Sequence, residues 1–265
     1  MSDRPPTVLI TDDSQTLRRI LRQAVLDAEP NATICEAADG NQALTALKNH
    51  EIDIVFLDVN MPEMSGLDVL ELLRGKGNNV FVTLMSTEAD AAVMKAGAEL
   101  GSYDFLKKPF TPEQIATILT SHRNLSRRKN VLIVDDSAVI RRIIYKVLAN
   151  CRFDMLISEV DSGKEALTLL KGTHPDIIFL DYNMPGLDGI HAAQRLRAEI
   201  PGIKMVMISS QDLTGQKDAC RKAGIFALLK KPFFANEVDF VLHRLYGLNM
   251  PQSLEQTPNV TLLQE

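Results

Sequence analysis

Residues 56–62 read Phe-Leu-Asp-Val-Asn-Met-Pro, and residues 179–185 read Phe-Leu-Asp-Tyr-Asn-Met-Pro. Two further blocks repeat at the same offset of 123 residues: residues 8–14 return, with one substitution, at 131–137, and residues 106–110 return at 229–233. An unchanged offset across three separated blocks predicts two copies of one domain. A solenoid is excluded, because its repeats run about 20–50 residues and cannot stand alone.

Length and composition agree with two ordinary globular domains. The chain has 265 residues, of which 45% are hydrophobic and 24% are charged. These values exclude a disordered, collagen-like or coiled-coil chain. The predicted organisation is a first domain at 5–122, a basic linker at 123–130, a second domain at 131–246 and a flexible tail at 247–265.

The charge is unevenly distributed along the chain. The net charge is −5, made up of −8 in residues 1–122, +4 in 123–130, +1 in 131–246 and −2 in the tail. An acidic chain of this kind is not expected to bind nucleic acid.

Several features predict a cytoplasmic protein. The apolar runs are too short to span a bilayer, and the first residues lack the apolar segment of a signal peptide. The three cysteines, Cys35, Cys151 and Cys220, are odd in number and widely spaced. They therefore indicate a reducing compartment, with no disulfide framework and no thiolate metal site.

Each copy alternates strand and helix patterns in the order (βα)5. Residues 7–11 and 52–57 are short apolar runs typical of buried strands. Ser14 is predicted to cap the first helix, and Thr111 with Pro112 to begin the last one. The predicted fold class is therefore α/β, with a doubly wound parallel sheet in each domain.

Polar residues follow the predicted strands at matching positions in both copies. In such sheets, functional groups gather at the carboxyl ends of the strands. The residues expected there are three carboxylates, one hydroxyl and one ammonium in each copy: Asp12, Asp13, Asp58, Ser86 and Lys108, and Asp135, Asp136, Asp181, Ser209 and Lys231.

The chemistry of this group can be argued from its donors. Three neighbouring carboxylates repel one another, so a hard cation such as Mg²⁺ is expected among them. A carboxylate beside that cation can act as a nucleophile toward phosphorus. The lysine and the hydroxyl would then donate to the other phosphoryl oxygens.

These motifs resemble the receiver domain of bacterial two-component response regulators, including those of the CheY type. The resemblance rests on Asp-Asp-Ser, Phe-Leu-Asp-x-Asn-Met-Pro, a serine after the fourth strand and Lys-Lys-Pro-Phe, and it covers about 5–122 and 129–246. It implies two flavodoxin-like domains.

The resemblance also implies a role for each position. Asp58 and Asp181 would accept the phosphoryl group, Ser86 and Ser209 would hydrogen-bond it, and Lys108 and Lys231 would pair with it. The ligands of Mg²⁺ would be acidic side chains and two backbone carbonyls: Asp12, Asp13, Asp58 and Asn60 in the first domain, and Asp135, Asp136, Asp181 and Asn183 in the second. The two Lys-Pro bonds would be cis.

The two copies differ at positions that the family uses for signalling. Ser86 and Ser209 would act as switch residues together with an aromatic on the fifth strand. Phe105 fits that aromatic position in the first copy, but the second copy has Leu228 there. Two residues after the switch serine, the first copy has a glutamate and the second a glutamine, so different lifetimes are expected for the two aspartyl phosphates.

The expected function is two-component signal transduction without an output domain, through phosphorylation-dependent protein contacts. The chain would be an adaptor, a chemotaxis-type regulator or a phosphate sink. It would not be an enzyme beyond its own phosphorylation and dephosphorylation. The expected partners are a histidine kinase or histidine phosphotransfer protein and an unknown downstream protein, with neither nucleic acid nor membrane insertion. Contact between the domains or between two copies is a further expectation.

Other function classes fit the sequence less well. The main alternative is the receiver fragment of a larger enzyme, such as a cyclic-dinucleotide synthase. A transcription factor is disfavoured because no helix-turn-helix pattern follows the second copy. A haloacid-dehalogenase-like phosphohydrolase is disfavoured because its nucleophile follows the first strand and not the third. Two arginine pairs early in the first helix of each copy, Arg18-Arg19 and Arg141-Arg142, fit either a kinase-docking surface or a solvated one.

Overall fold

The fold comes from a computed structural model that describes residues 4–88, 90–185, 188–248, 250–251, 254 and 259–264. The chain divides into two compact units near residue 123. Each unit is an α/β domain built on one sheet, as the repeat predicts.

The first domain has five strands and five helices in strict alternation. They are β1 (Thr7–Thr11), α1 (Gln15–Ala28), β2 (Thr33–Ala37), α2 (Gly40–Asn49), β3 (Ile54–Asp58), α3 (Gly66–Gly75), β4 (Phe81–Ser86), α4 (Ala91–Glu99), β5 (Asp104–Lys107) and α5 (Pro112–Ser126). All pairings are parallel, in the order β2-β1-β3-β4-β5. The (βα)5 prediction is confirmed.

The second domain repeats this order and adds one strand. Its elements are β6 (Lys129–Val134), α6 (Ala138–Ala149), β7 (Met155–Val160), α7 (Gly163–Leu169), β8 (Ile177–Asp181), α8 (Gly189–Glu199), β9 (Lys204–Ser209), α9 (Lys217–Lys222), β10 (Ile225–Lys230), α10 (Ala235–Tyr246) and β11 (Val260–Leu262). The sheet order is β11-β10-β9-β8-β6-β7, and β11 alone runs antiparallel to its neighbour.

The central strand of each sheet is enclosed by protein on both faces. Every residue of β3 and of β8 is buried, including the aspartate that ends each strand. Helices cover the two faces of a parallel sheet, so its middle strands become continuous apolar runs. Helix α1 begins as the sequence predicts, because the hydroxyl of Ser14 accepts a hydrogen bond from the backbone of the first turn. Ser137 caps α6 in the same way.

The predicted linker is wrong in its extent. Helix α5 continues to Ser126 and β6 begins at Lys129, so most of 123–130 lies in regular structure. The basic charge of this segment suggested a solvated connection. The apolar residue Leu125 is nevertheless buried, and this burial favours continuation of the helix.

The tail also differs from the sequence-based expectation of a flexible segment at 247–265. Val260–Leu262 pairs with the edge strand β10, and Leu263 is buried in the core of the second domain. The physical reason is the open edge of β10, whose backbone N–H and C=O groups gain partners from a short apolar strand. The rest of that prediction falls largely outside the described residues.

Candidate functional site

The carboxyl edge of the first sheet gathers a lysine and two aspartates. The Nζ of Lys108 lies 2.6 Å from Oδ2 of Asp12 and 2.8 Å from Oδ1 of Asp58. All three side chains are buried. Asp12 follows β1, Asp58 ends β3 and Lys108 follows β5. The crossover between β1 and β3 therefore places the group at the switch point of the sheet.

A third carboxylate completes the acidic cluster. Asp12, Asp13 and Asp58 each offer an oxygen within 4.8 Å of the others, and Asp13 is exposed to solvent. Burial raises the pKa of Asp58, while the hydrogen bond and charge of Lys108 act in the opposite direction. One ammonium thus contacts two of the three carboxylates. This oxygen-only donor set with residual negative charge suits a hard divalent cation such as Mg²⁺.

Ser86 stands at the end of β4, next to this cluster. Its Oγ accepts a hydrogen bond from the backbone N–H of Glu88 at 3.2 Å and lies 3.4 Å from Nδ2 of Asn60. Its carbonyl accepts the backbone N–H of Lys108 at 2.7 Å. Asn60 therefore connects the serine to the aspartate, since its side-chain amide faces the hydroxyl of Ser86 and its backbone faces the carboxylate of Asp58. The backbone N–H of Asn60 is 3.4 Å from Oδ1 of Asp58.

The second domain repeats the lysine bridge. The Nζ of Lys231 lies 2.8 Å from Oδ2 of Asp135 and 2.7 Å from Oδ1 of Asp181. Burial alone would lower the pKa of Lys231, but the hydrogen bonds and charges of the two aspartates outweigh it and raise the pKa. Asn183 donates its backbone N–H to Asp181 at 2.8 Å, and Ser209 ends the neighbouring strand β9.

The two sites are not identical. The side chain of Lys108 is 7% exposed, whereas that of Lys231 is 20% exposed. Among the residues the structure describes, only the first domain brings three acidic groups within 4.8 Å of one another. Asp136, the counterpart of Asp13, is exposed and outside such a cluster. The predicted metal ligands are therefore more closely assembled in the first domain. Both predicted cis bonds, Lys108-Pro109 and Lys231-Pro232, are present.

One arginine of each predicted pair supports the acidic site. Arg18 donates from its guanidinium to the carbonyl of Asp12 at 2.7 Å, and Arg141 donates to the carbonyl of Asp135 at the same distance. Each is also paired with a glutamate on the adjacent strand. These two side chains thus hold the loop after the first strand. The neighbours Arg19 and Arg142 are exposed.

Two glycines at the sites, Gly66 and Gly189, are not among the residues that the sequence predicts to be functional. A Cβ at Gly66 would lie 2.2 Å from the carbonyl oxygen of Asp58, and one at Gly189 would lie 2.5 Å from that of Asp181. Each glycine begins the helix after the central strand, and this allows the helix to pack against the backbone of the aspartate that ends that strand. The signal was present, because glycines follow the Asn-Met-Pro blocks of both copies.

The predicted switch positions are partly placed by the structure. Phe105 is half-buried and packs against the core of the first domain, and Leu228 is buried in that of the second. Their roles in signalling remain predictions.

A comparison with known protein families explains the paired geometry. The profile of the response regulator receiver domain matches residues 8–120 and 131–256, which is most of the chain. The chain belongs to the response regulator receiver family. The same family match in both halves accounts for the same arrangement of lysine and aspartates in each domain.

Individual relatives agree with this assignment. The chain is 36% identical over 135 residues to the probable transcriptional regulatory protein TcrX of Mycobacterium tuberculosis, a match covering 51% of this chain and 56% of that protein. It is 28% identical over 167 residues to the response regulator MprA of a Mycobacterium species, covering 63% and 68% of the two chains. This receiver protein thus spans just over half the length of TcrX.

The fold itself has a close counterpart among solved structures. A probable two-component response regulator/GGDEF domain protein superposes with a TM-score of 0.60 at 24% identity, covering 95% of this chain and 100% of that chain. At this identity the likeness concerns the fold alone. In the described part of the receiver chain, no helix is long and apolar enough to cross a membrane.

Proposed function

We propose that this chain is a two-component response regulator with two phosphoacceptor sites, Asp58 and Asp181. The observation that carries the proposal is the buried lysine bridge, which places an ammonium within 2.8 Å of the reactive carboxylate in both domains. A buried cation at that distance is suited to binding an incoming anionic group beside the nucleophile.

The proposed reaction is phosphoryl transfer to a carboxylate. An oxygen of Asp58 or Asp181 attacks the phosphorus of the donor, a new O–P bond forms, and the donor's bond to phosphorus breaks as its leaving group departs. Lys108 or Lys231 donates to one phosphoryl oxygen, and Ser86 or Ser209 donates to another. Hydrolysis of the aspartyl phosphate by water restores the carboxylate.

The acidic residues of each site would hold Mg²⁺, which supplies charge neutralisation between the carboxylates and the phosphoryl group. In the first domain the ligands would be Asp12, Asp13, Asp58 and the carbonyl of Asn60. The cluster of three carboxylates supports this set. Asp135, Asp136, Asp181 and the carbonyl of Asn183 would serve in the second domain. There the carboxylates are less closely grouped, so we expect weaker binding of the ion.

The partners follow from this chemistry. The phosphodonor would be a histidine kinase or a histidine phosphotransfer protein in the cytoplasm. The output would be a change in protein contacts, with the chain acting as an adaptor, a chemotaxis-type regulator or a phosphate sink. Its only catalysis would be on its own aspartates. Two states of each receiver give such an output when they bind a partner with different affinities.

Intact-mass measurement tests the proposal directly. The wild type, Asp58→Asn, Asp181→Asn and the double variant are incubated with Mg²⁺ and acetyl phosphate. We expect two added phosphoryl groups on the wild type, one on each single variant and none on the double variant. The absence of label on the wild type, or equal labelling of the double variant, would contradict the proposal.

A further inference from the structure

The C-terminal strand β11 lies against the lysine-bearing end of the second domain. It pairs antiparallel with β10, and Val260 is in register with Leu229, two residues before Lys231. In the first domain the described sheet has five strands, and no corresponding strand pairs with β5. The second site therefore has a neighbour that the first site lacks.

Asn259, directly before β11, contacts both sides of Lys231. Its backbone carbonyl accepts the N–H of Lys230 at 2.9 Å. Its side-chain Nδ2 donates to the carbonyl of Pro232 at 3.3 Å. The residues before and after the lysine are thus both bonded to this one asparagine, and the lysine's own backbone N–H is bonded to the carbonyl of Ser209 at 2.8 Å.

The same amide group reaches the start of helix α10. Nδ2 of Asn259 also donates to Oε1 of Glu237 at 2.7 Å, and Oε2 of that glutamate accepts the N–H of Phe234 at 2.7 Å. Glu237 is 2% exposed, so its carboxylate depends on these donors. The asparagine therefore connects the strand end, the loop after the lysine and the first turn of the helix.

In the described part of the first domain, no asparagine bonds the equivalent loop in this way. There, Oε1 of Gln114 accepts the N–H of Thr111, which matches the bond between Glu237 and Phe234. Lys108 is also more deeply buried than Lys231, so packing alone restricts it more strongly. A neutral glutamine at this place needs no extra donor, whereas the buried glutamate of the second domain does.

We propose that Asn259 is a positioning residue for Lys231, so that the C-terminal strand is a working part of the second phosphoacceptor site. The proposal rests on the proposed function of Asp181. Asn259 touches neither Asp181 nor the acidic pair in the described contacts. It acts by fixing the loop from which the ammonium reaches the phosphoryl group.

The test compares Asn259→Ala with Thr261→Ala in two single-site backgrounds. Asp58→Asn leaves only the second site, and Asp181→Asn leaves only the first. Thr261 lies on the same strand and pairs with Leu228, three residues before Lys231. Replacing Asn259 by alanine keeps the carbonyl that accepts Lys230, so strand pairing is retained. The phosphorylation rate with acetyl phosphate is measured as a function of Mg²⁺, with thermal melting as a check of folding.

In the Asp58→Asn background, Asn259→Ala is expected to lower the plateau rate about threefold to tenfold, the range for one lost hydrogen bond. The Mg²⁺ concentration at half-maximal rate should stay unchanged, since the metal ligands are untouched. The isosteric Asn259→Asp, which lacks the donor, should lose at least as much. Neither change should affect the Asp181→Asn background, and Thr261→Ala should match its parent in both.

Three results would overturn the inference: a plateau rate within about twofold of the parent for Asn259→Ala and Asn259→Asp, an equal loss for Thr261→Ala, or a slowed rate that raised Mg²⁺ restores fully. If the Asp58→Asn parent itself takes up no phosphate, the proposed function of Asp181 fails and the inference fails with it. If the Asp58→Asn parent takes up phosphate and the Asn259 variants react at the same rate as that parent, only the inference about Asn259 is rejected.

Discussion

At the scale of single residues, each site holds one ammonium between two buried carboxylates. Moving such charges out of water costs on the order of several kcal/mol per ion, unless charged or hydrogen-bonding partners compensate for the lost hydration. Lys108 compensates Asp12 and Asp58 only in part, and the raised pKa of Asp58 reflects the remaining cost of burial. A divalent cation and a phosphoryl anion would add opposite charges to this group, which is why the site is suited to receive both.

Two buried threonine hydroxyls of the first domain lower its folding stability and have no evident function. The hydroxyls of Thr11 and Thr83 have no hydrogen-bond partner among the described residues, and both side chains are fully buried. The second domain has Val134 and Val206 at the same positions. The second domain therefore shows that a methyl group fits where the first domain has a hydroxyl.

We predict that Thr83→Val stabilises the first domain by about 1 kcal/mol, because it removes an unpaired buried hydroxyl. The measurement is hydrogen exchange of peptides from the first sheet as a function of urea, which reports this domain separately. Thr45→Val is the control. Thr45 is exposed and its hydroxyl donates to the carbonyl of Asn41, so that change should be neutral or destabilising. A destabilised Thr83→Val would show that the hydroxyl has a partner.

At the scale of elements, the contact between α3 and the backbone of β3 depends on one glycine. Gly66 is the first residue of the helix, and its missing Cβ leaves room for the carbonyl of Asp58. At the last residue of the helix, Gly75, a Cβ would meet nothing within 4 Å, and this position is exposed. The two ends of one helix thus offer a matched pair of substitutions.

We predict that Gly66→Ala destabilises the first domain by about 3 kcal/mol, since backbone atoms cannot move aside without strain. Gly75→Ala should instead stabilise it by about 0.5–1 kcal/mol, because alanine favours the helix more than glycine does. Urea-dependent hydrogen exchange of β3 measures both. Equal effects of the two changes would show that the close approach at Gly66 has no energetic consequence.

The elements also show how much of the structure can be predicted from the sequence. Hydrophobic runs and capping residues predicted the ten alternating elements of each repeat, and the strand ends predicted the lysine and aspartates that meet at each edge. The pairing of β11 was missed because three residues carry too weak a pattern, and their stability comes from the edge of β10. The support from Arg18 to the carbonyl of Asp12 was missed because a backbone acceptor leaves no mark in the sequence.

At the scale of the whole molecule, the two similar sites differ two residues after the serine that ends the fourth strand of each repeat, where the first has Glu88 and the second has Gln211. Glu88 and Gln211 are exposed, and each donates its backbone N–H to the preceding switch serine, at 3.2 Å and 2.9 Å. The two backbones therefore place their side chains at corresponding positions. The remaining difference is chemical, since a carboxylate accepts a proton or hydrogen bond from water more strongly than an amide.

We predict that the aspartyl phosphate of the first site hydrolyses about threefold to tenfold faster than that of the second, the range expected for one stronger hydrogen bond to the attacking water. Dephosphorylation is followed by intact mass in Asp181→Asn and Asp58→Asn after removal of the donor. Exchanging the side chains, Glu88→Gln in the first background and Gln211→Glu in the second, should exchange the order of the two lifetimes.

Equal lifetimes in the parents would refute the difference. Unequal lifetimes that survive the exchange would assign it to another feature of the sites, such as the looser carboxylate grouping around Asp181. If the two aspartyl phosphates hydrolyse at different rates, one phosphorylation event would produce a short-lived and a long-lived phosphorylated domain in the same chain. This difference gives a physical reason for two receivers in tandem.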